Sequence, residues 1–158
     1  PFTWGRNVPT LYLVAEDDIS LPLAGMYEVF EMTPATKQMV ILRRADHLHF
    51  MDDVEQRHEA VRAMTFTGEL AWVPNEMRPI AELCSGKQAH LFVRGLTLCH
   101  MDSVLRGWEP ARQFLAGDLG TALAVRGVDV IVHTPTATGS QTTSGQSPKP
   151  ASQSPAKY

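Results

Sequence analysis

The sequence predicts an α/β fold of parallel strands with flanking helices, and three observations carry that expectation. Two apolar runs, 10–15 (TLYLVA) and 38–43 (QMVILR), have strand length and near-continuous apolar character. That pattern suits strands covered on both faces. Between them Leu23, Met26, Tyr27 and Phe30 recur at helical spacing, which gives one apolar helix face. After the second run Val54, His58, Val61 and Met64 recur in the same way. Strand, helix, strand, helix is the order of a right-handed parallel unit.

The elements follow from local chemistry. Pro9 suits a strand edge, because it has no N–H to give to a ladder. Pro22 opens the first helix, and Thr33-Pro34 stops it. Asp52 or Asp53 is placed to cap the second helix. Residues 66–79 carry Gly68, Pro74 and Pro79 and read as a connector with a short helical turn. Residues 79–106 are helical in pattern, with Phe92, Leu96, Cys99 and Ser103 on one face and Gly107 at the end. Pro110 fits the first turn of a further helix whose Phe114, Leu115, Leu119, Ala122 and Leu123 pack inward. Gly127 is its expected C-terminal cap, and 128–132 (VDVIV) reads as a short edge strand. From Thr134 the composition changes to Ser, Thr, Pro and Gln, with no aliphatic side chain larger than alanine. Such a segment cannot bury enough surface to offset its ordering entropy, and a disordered tail over 134–158 is expected.

Bulk composition narrows the function classes. A chain of 158 residues, 44% hydrophobic and 20% charged, reads as a globular chain able to bury a core. The net charge is −3. With 12 basic and 17 acidic residues before the tail, there is no basic stripe of the kind that tracks phosphates. No apolar run approaches the roughly 20 residues that span a bilayer. Neither nucleic acid nor a membrane is therefore an expected partner, and a cytoplasmic location is expected. Cys84 and Cys99 are too few for a disulfide framework and are expected as reduced thiols. The chain opens at Pro1, close to a strand, and reads as continuing from upstream sequence.

Both apolar runs deliver chemically capable residues. The first ends in Glu16-Asp17-Asp18 and the second leads to Asp46-His47-Leu48-His49. Parallel strands bring their C-terminal ends to one sheet edge, which is where open α/β sheets hold their sites. A carboxylate there can orient an imidazole and stabilise its charged form. The imidazole can deprotonate a nucleophile and protonate a leaving group. Asp17 is a rival acid and His49 a rival base. The cluster Asp46, His47, His49, Asp52 and Asp53 crowds one loop without helical H-x-x-x-H spacing, so no metal is expected. Cys99 and His100 are neighbours on a helix and point about 100° apart. His58, His90 and His133 have no evident partner in the sequence.

The segment VPTLYLVAEDDISLP resembles the penultimate-strand motif of the α/β-hydrolase family, in which a strand ends in a small residue, two variable positions and the acid, followed by a proline. Ala15, Asp18 and Pro22 take those positions. RRADHLHF resembles the last-strand motif, in which a small-residue turn precedes the catalytic histidine, here His47. The family order of nucleophile, acid and base fits. The resemblance is nearest to dienelactone-hydrolase-like or esterase-like members and covers residues 8 to about 65, with a looser likeness to 133. It implies that 1–133 is the C-terminal portion of an α/β-hydrolase domain with Asp18 and His47 catalytic. The substrate would be a small-molecule ester or related acyl compound, with no cofactor. No G-x-S-x-G elbow occurs in the chain, and both cysteines follow the base, so the nucleophile and oxyanion hole are expected upstream and this chain alone is expected to be inactive. The alternative is a non-catalytic hydrolase-like binding or assembly domain. A third reading is a truncated product with no function, whose exposed strand edge would favour aggregation or domain pairing; a homo-oligomer is also compatible with the sequence.

Overall fold

The computed structural model describes residues 5–135. Three strands, β1 (Thr10–Ala15), β2 (Lys37–Leu42) and β3 (Val130–His133), form one sheet in the order β1-β2-β3. β1 runs parallel to β2, with Thr10 opposite Lys37 and Ala15 opposite Leu42. β3 runs antiparallel to β2, with Met39 opposite His133 and Leu42 opposite Val130. The helices among the described residues are α1 (Leu23–Met32), α2 (Val54–Arg62), α3 (Val73–Glu76), α4 (Gly86–Leu105), α5 (Glu109–Ala116) and α6 (Leu119–Ala124). The fold is thus mixed α/β around a small mixed sheet.

β2 is the central strand, and its alternation sorts the core. Met39 and Ile41 face α1, where they join Val14 and Phe30. Val40 and Leu42 face the opposite side and pack with Ala89, Phe92 and Leu96 of α4 and with Leu119 and Leu123 of α6. The period of two along the strand produces this division. Both faces of β2 are covered, and Met39 to Leu42 are all at most 1% exposed. β1 has the same apolar composition, but only Val14 and Ala15 of it are buried. The reason is position: β1 is an outer strand, so its ladder is satisfied on one side only.

Several boundaries differ from expectation, each for a local reason. The helix expected over 79–106 is a 3₁₀ turn at Ile80–Glu82 followed by α4. The break is a capping box. Ser85 Oγ accepts from the Gln88 N–H, while Gln88 Oε1 accepts from the Ser85 N–H at 2.8 Å. The single helix expected from Pro110 through Leu123 is two, because Asp118 caps a fresh start by accepting the Thr121 N–H at 2.9 Å. Asp53 does sit at the start of α2, but in a left-handed conformation (φ 55°) and without a side-chain cap hydrogen bond. Its expected capping role is therefore not made. Gly107 and Gly127 adopt positive φ beyond α4 and α6, a conformation in which a side chain would be strained. Apart from Thr134 and Pro135, the expected tail lies outside the described residues, as does Trp4.

Candidate functional site

The C-terminal ends of β1 and β2 are adjacent, and each continues into a loop carrying polar side chains. The two loops are stitched by backbone. The Glu16 N–H donates to Leu42 O at 2.9 Å and the Asp17 N–H to Ala45 O at 2.8 Å. Glu16 adds a side-chain tie by accepting the Arg44 N–H at 3.0 Å.

This stitching brings Asp18 to His47. Asp18 Oδ2 lies 2.9 Å from His47 Nδ1. The other carboxylate oxygen, Oδ1, accepts the backbone N–H groups of Ser20 and Leu21, each at 2.8 Å. The Asp18 side chain is only 3% exposed, whereas that of His47 is 51% exposed. The carboxylate is held in a fixed orientation and the imidazole faces outward. An ionised Asp18 can only accept, so His47 carries its proton on Nδ1 and presents Nε2 as a base.

The rivals are engaged elsewhere. Asp17 Oδ2 is 3.2 Å from an Arg78 guanidinium nitrogen, and Glu16 pairs with Arg43 at 3.4 Å. His49 is fully buried. Its Nδ1 lies 2.8 Å from Asp46 Oδ1 and its Nε2 3.0 Å from the Cys84 carbonyl oxygen. Nε2 thus faces an acceptor, while Nδ1 lies between the Asp46 carboxylate and the Asp46 backbone N–H, which is 3.0 Å away. Burial alone would lower the His49 pKa, but the bonds to Asp46 and Cys84 outweigh it and push it up to about 10. Burial would raise the Asp46 carboxyl, yet the His49 hydrogen bond and the nearby His58 charge hold it below the ordinary carboxylate range. His58, also fully buried, places Nε2 2.7 Å from Asp46 Oδ2. That contact is out of line for a hydrogen bond, so it is electrostatic in character.

This cluster makes stability depend on pH in a defined direction. His49 titrates above its unfolded value, so its contribution is complete below pH 6.5 and is lost as pH rises toward about 10. Urea melts at pH 6.5 and pH 9.5 are expected to show a lower midpoint at the higher pH, with a smaller fall in His49→Gln. Equal falls in the two proteins would contradict the assignment.

A cavity of about 250 Å³ opens beside Asp18 and His47 and is walled by the end of β1, Leu21, Met26, Phe50 and Met51. None of its lining residues carries a hydroxyl or thiol, and Asp18 and His47 are the only titratable groups among them. A second apolar cavity of about 360 Å³ lies among α4, α5 and α6, where Cys99 and Trp108 help line it. Burial pushes the Cys99 thiol up, which disfavours the nucleophilic thiolate. Cys84 and Cys99 are both free thiols. Among the described residues no group of three or more His, Cys, Asp or Glu side chains is arranged to hold a metal ion, and no helix is long and apolar enough to cross a membrane.

The sequence did not reveal the partners of the remaining histidines. His58 meets Asp46, and His90 lies 3.1 Å from Asp52. His133 packs on the rings of Tyr27 and Phe30. For His58 the available signal was a histidine in register with Val54 on the apolar face of a helix. Comparison of the chain with protein-family models, with curated proteins and with solved structures gave no match.

Proposed function

We propose that this chain carries the acid–base half of a nucleophile–Asp–His triad in an α/β-hydrolase that cleaves an ester or related acyl bond, with the nucleophile supplied by sequence upstream of Pro1. The observation that carries the reading is the 2.9 Å contact of a buried, doubly braced Asp18 with an outward-facing His47. The parallel β1–α1–β2 arrangement supports it, since acid and base each follow a strand and meet at one sheet edge.

In this reading His47 Nε2 takes the proton of the attacking serine or cysteine, and Asp18 stabilises the imidazolium that forms. His47 then returns the proton to the leaving alcohol, and repeats the cycle with water to release the acid. The apolar walls at Leu21, Met26, Phe50 and Met51 suit an uncharged, apolar portion of the substrate. A carboxylate-bearing substituent there would be desolvated beside Asp18 without a cation to pair with.

Fluorophosphonate labelling of the protein including its upstream sequence tests the proposal. Covalent labelling and ester hydrolysis are expected, and both are expected to be lost in His47→Ala. Labelling and hydrolysis that persist in that variant would overturn the assignment. A protein that neither labels nor hydrolyses any ester, while keeping the Asp18–His47 contact, would favour a hydrolase-like binding domain instead.

A further inference from the structure

The turn that presents His47 is short and encloses one polar side chain. It is a 3₁₀ turn, His47–Phe50, whose one buried side chain is His49. His47 and Phe50 are exposed and Leu48 is half-buried. Apolar packing is non-directional, and of the turn's side chains only His49 is fully enclosed, so directional polar contacts set the angle at which His47 meets Asp18.

Asp46 occupies the position from which that can be done. It directly precedes His47, and its Oδ1 accepts the Leu48 N–H at 3.0 Å. The same oxygen faces His49 Nδ1 at 2.8 Å, and Oδ2 faces His58 Nε2 at 2.7 Å. Each imidazole leads to a different element. His58 belongs to α2, and His49 reaches the Cys84 carbonyl just before α4. The Cys84 N–H returns to Arg44 O at 2.6 Å, which closes the circuit onto the end of β2. The start of α4 is held to α2 in turn, where the Gly86 N–H donates to Glu55 Oε1 at 2.7 Å. The carboxylate bonds to Leu48 and His49 are directional and short, and the His58 ring adds an electrostatic contact on the other oxygen. Burying a carboxylate with two imidazoles carries a desolvation cost that apolar residues of similar size would avoid, so the cluster calls for a role beyond filling space.

We propose that Asp46 is a positioning residue for His47: clamped between the buried imidazoles of His49 and His58, it fixes the turn so that His47 holds its Nδ1–H on Asp18 and leaves Nε2 free. This rests on the reading of Asp18 and His47 as an acid–base pair. Asp46 does not touch the reacting atoms. It acts through the backbone of the turn and through the two histidines.

The test reads the ring nitrogens of His47 in this chain by ¹⁵N NMR, at a pH where that ring is neutral, and needs no enzymatic activity. The wild type is expected to show a single Nδ1–H form. Asp46→Ser keeps a short acceptor for the Leu48 N–H but loses both imidazole contacts. It is expected to fold and to show a mixture in which the Nε2–H form of a free imidazole is prominent. Asp46→Ala is expected to do the same, and if it fails to fold the serine variant carries the test. Asp46→Asn retains acceptor geometry toward Leu48 and His49 and is expected to restore the single form. A merely structural Asp46 would lower the melting temperature of the variants without moving the His47 nitrogen signature of the folded protein. A single Nδ1–H form in folded Asp46→Ser, or a mixture in Asp46→Asn as large as in the serine variant, overturns the inference. A mixture already present in the wild type overturns the acid–base pair itself, so the two failures are distinguishable.

Discussion

Asp18→Asn is expected to lower kcat for ester hydrolysis on the order of 10⁴-fold in the protein that includes the nucleophile, with KM little changed. The size follows from how Asp18 is held. Oδ1 accepts two backbone N–H groups, from Ser20 and Leu21, so in the variant the amide oxygen must take that place. The amide NH₂ then faces His47 Nδ1, where the wild type has Oδ2. An NH₂ group only donates, which forces Nδ1 to accept and moves the ring proton to Nε2. His47 then has no lone pair toward the nucleophile. Shape and volume are nearly unchanged, so substrate binding survives while proton transfer fails. Steady-state kinetics read the loss, and ¹⁵N NMR of His47 reads the exchanged tautomer. A loss under about tenfold would mean that Asp18 does not orient the base, since it is far below the magnitude expected for a tautomer error.

The same residues show what a sequence can and cannot disclose. The strand at Thr10–Ala15 is legible to the residue, and the second is displaced by one position, at Lys37–Leu42. Both are apolar runs flanked by punctuation, a signal local to the chain. The juxtaposition of Asp18 and His47 is legible because parallel pairing leaves little freedom: two strands in register send their following loops to the same edge. The edge position of β1 is not visible in its composition, which is why its half-exposed burial departs from the covered strand expected. The Asp46–His49–His58 cluster is less legible still. Asp46 reads as one of several polar residues crowding a loop, His49 as a rival base and His58 as a member of an apolar helix face, and only tertiary packing of α2 against the turn joins them. The split of the C-terminal helices was readable in principle. Ser85 with Gln88 is a capping box, and Asp118 after Gly117 is a fresh N-cap. Helical periodicity runs through both breaks and masks the caps.

Phe92→Ala is expected to destabilise the chain by about 3–5 kcal/mol, against a total of roughly 5–15 kcal/mol for an ordinary domain. Phe92 is fully buried in α4 and packs in the cluster that holds Val40 and Leu42 of β2 together with Leu119 and Leu123 of α6. The α4–α6 face is the larger of the two sheet coverings, and Phe92 is its largest buried side chain. A three-stranded sheet leaves few other side chains to close the resulting cavity. Leu105→Ala is the matched control: it lies at the end of the same helix but is 73% exposed, so a change within about 0.5 kcal/mol is expected. Urea melts of the three proteins measure both. The consequence reaches the site, because the Cys84 carbonyl that receives His49 lies just ahead of α4. Loosening α4 on the sheet therefore weakens the hold on the His47 turn before the chain unfolds globally. In Phe92→Ala the His47 nitrogen signature is expected to broaden at urea concentrations below the melting midpoint, and in Leu105→Ala it is expected to stay sharp. A Phe92→Ala protein that loses less than about 1 kcal/mol, below the range for a truncated buried aromatic, would place the organising core elsewhere than under α4.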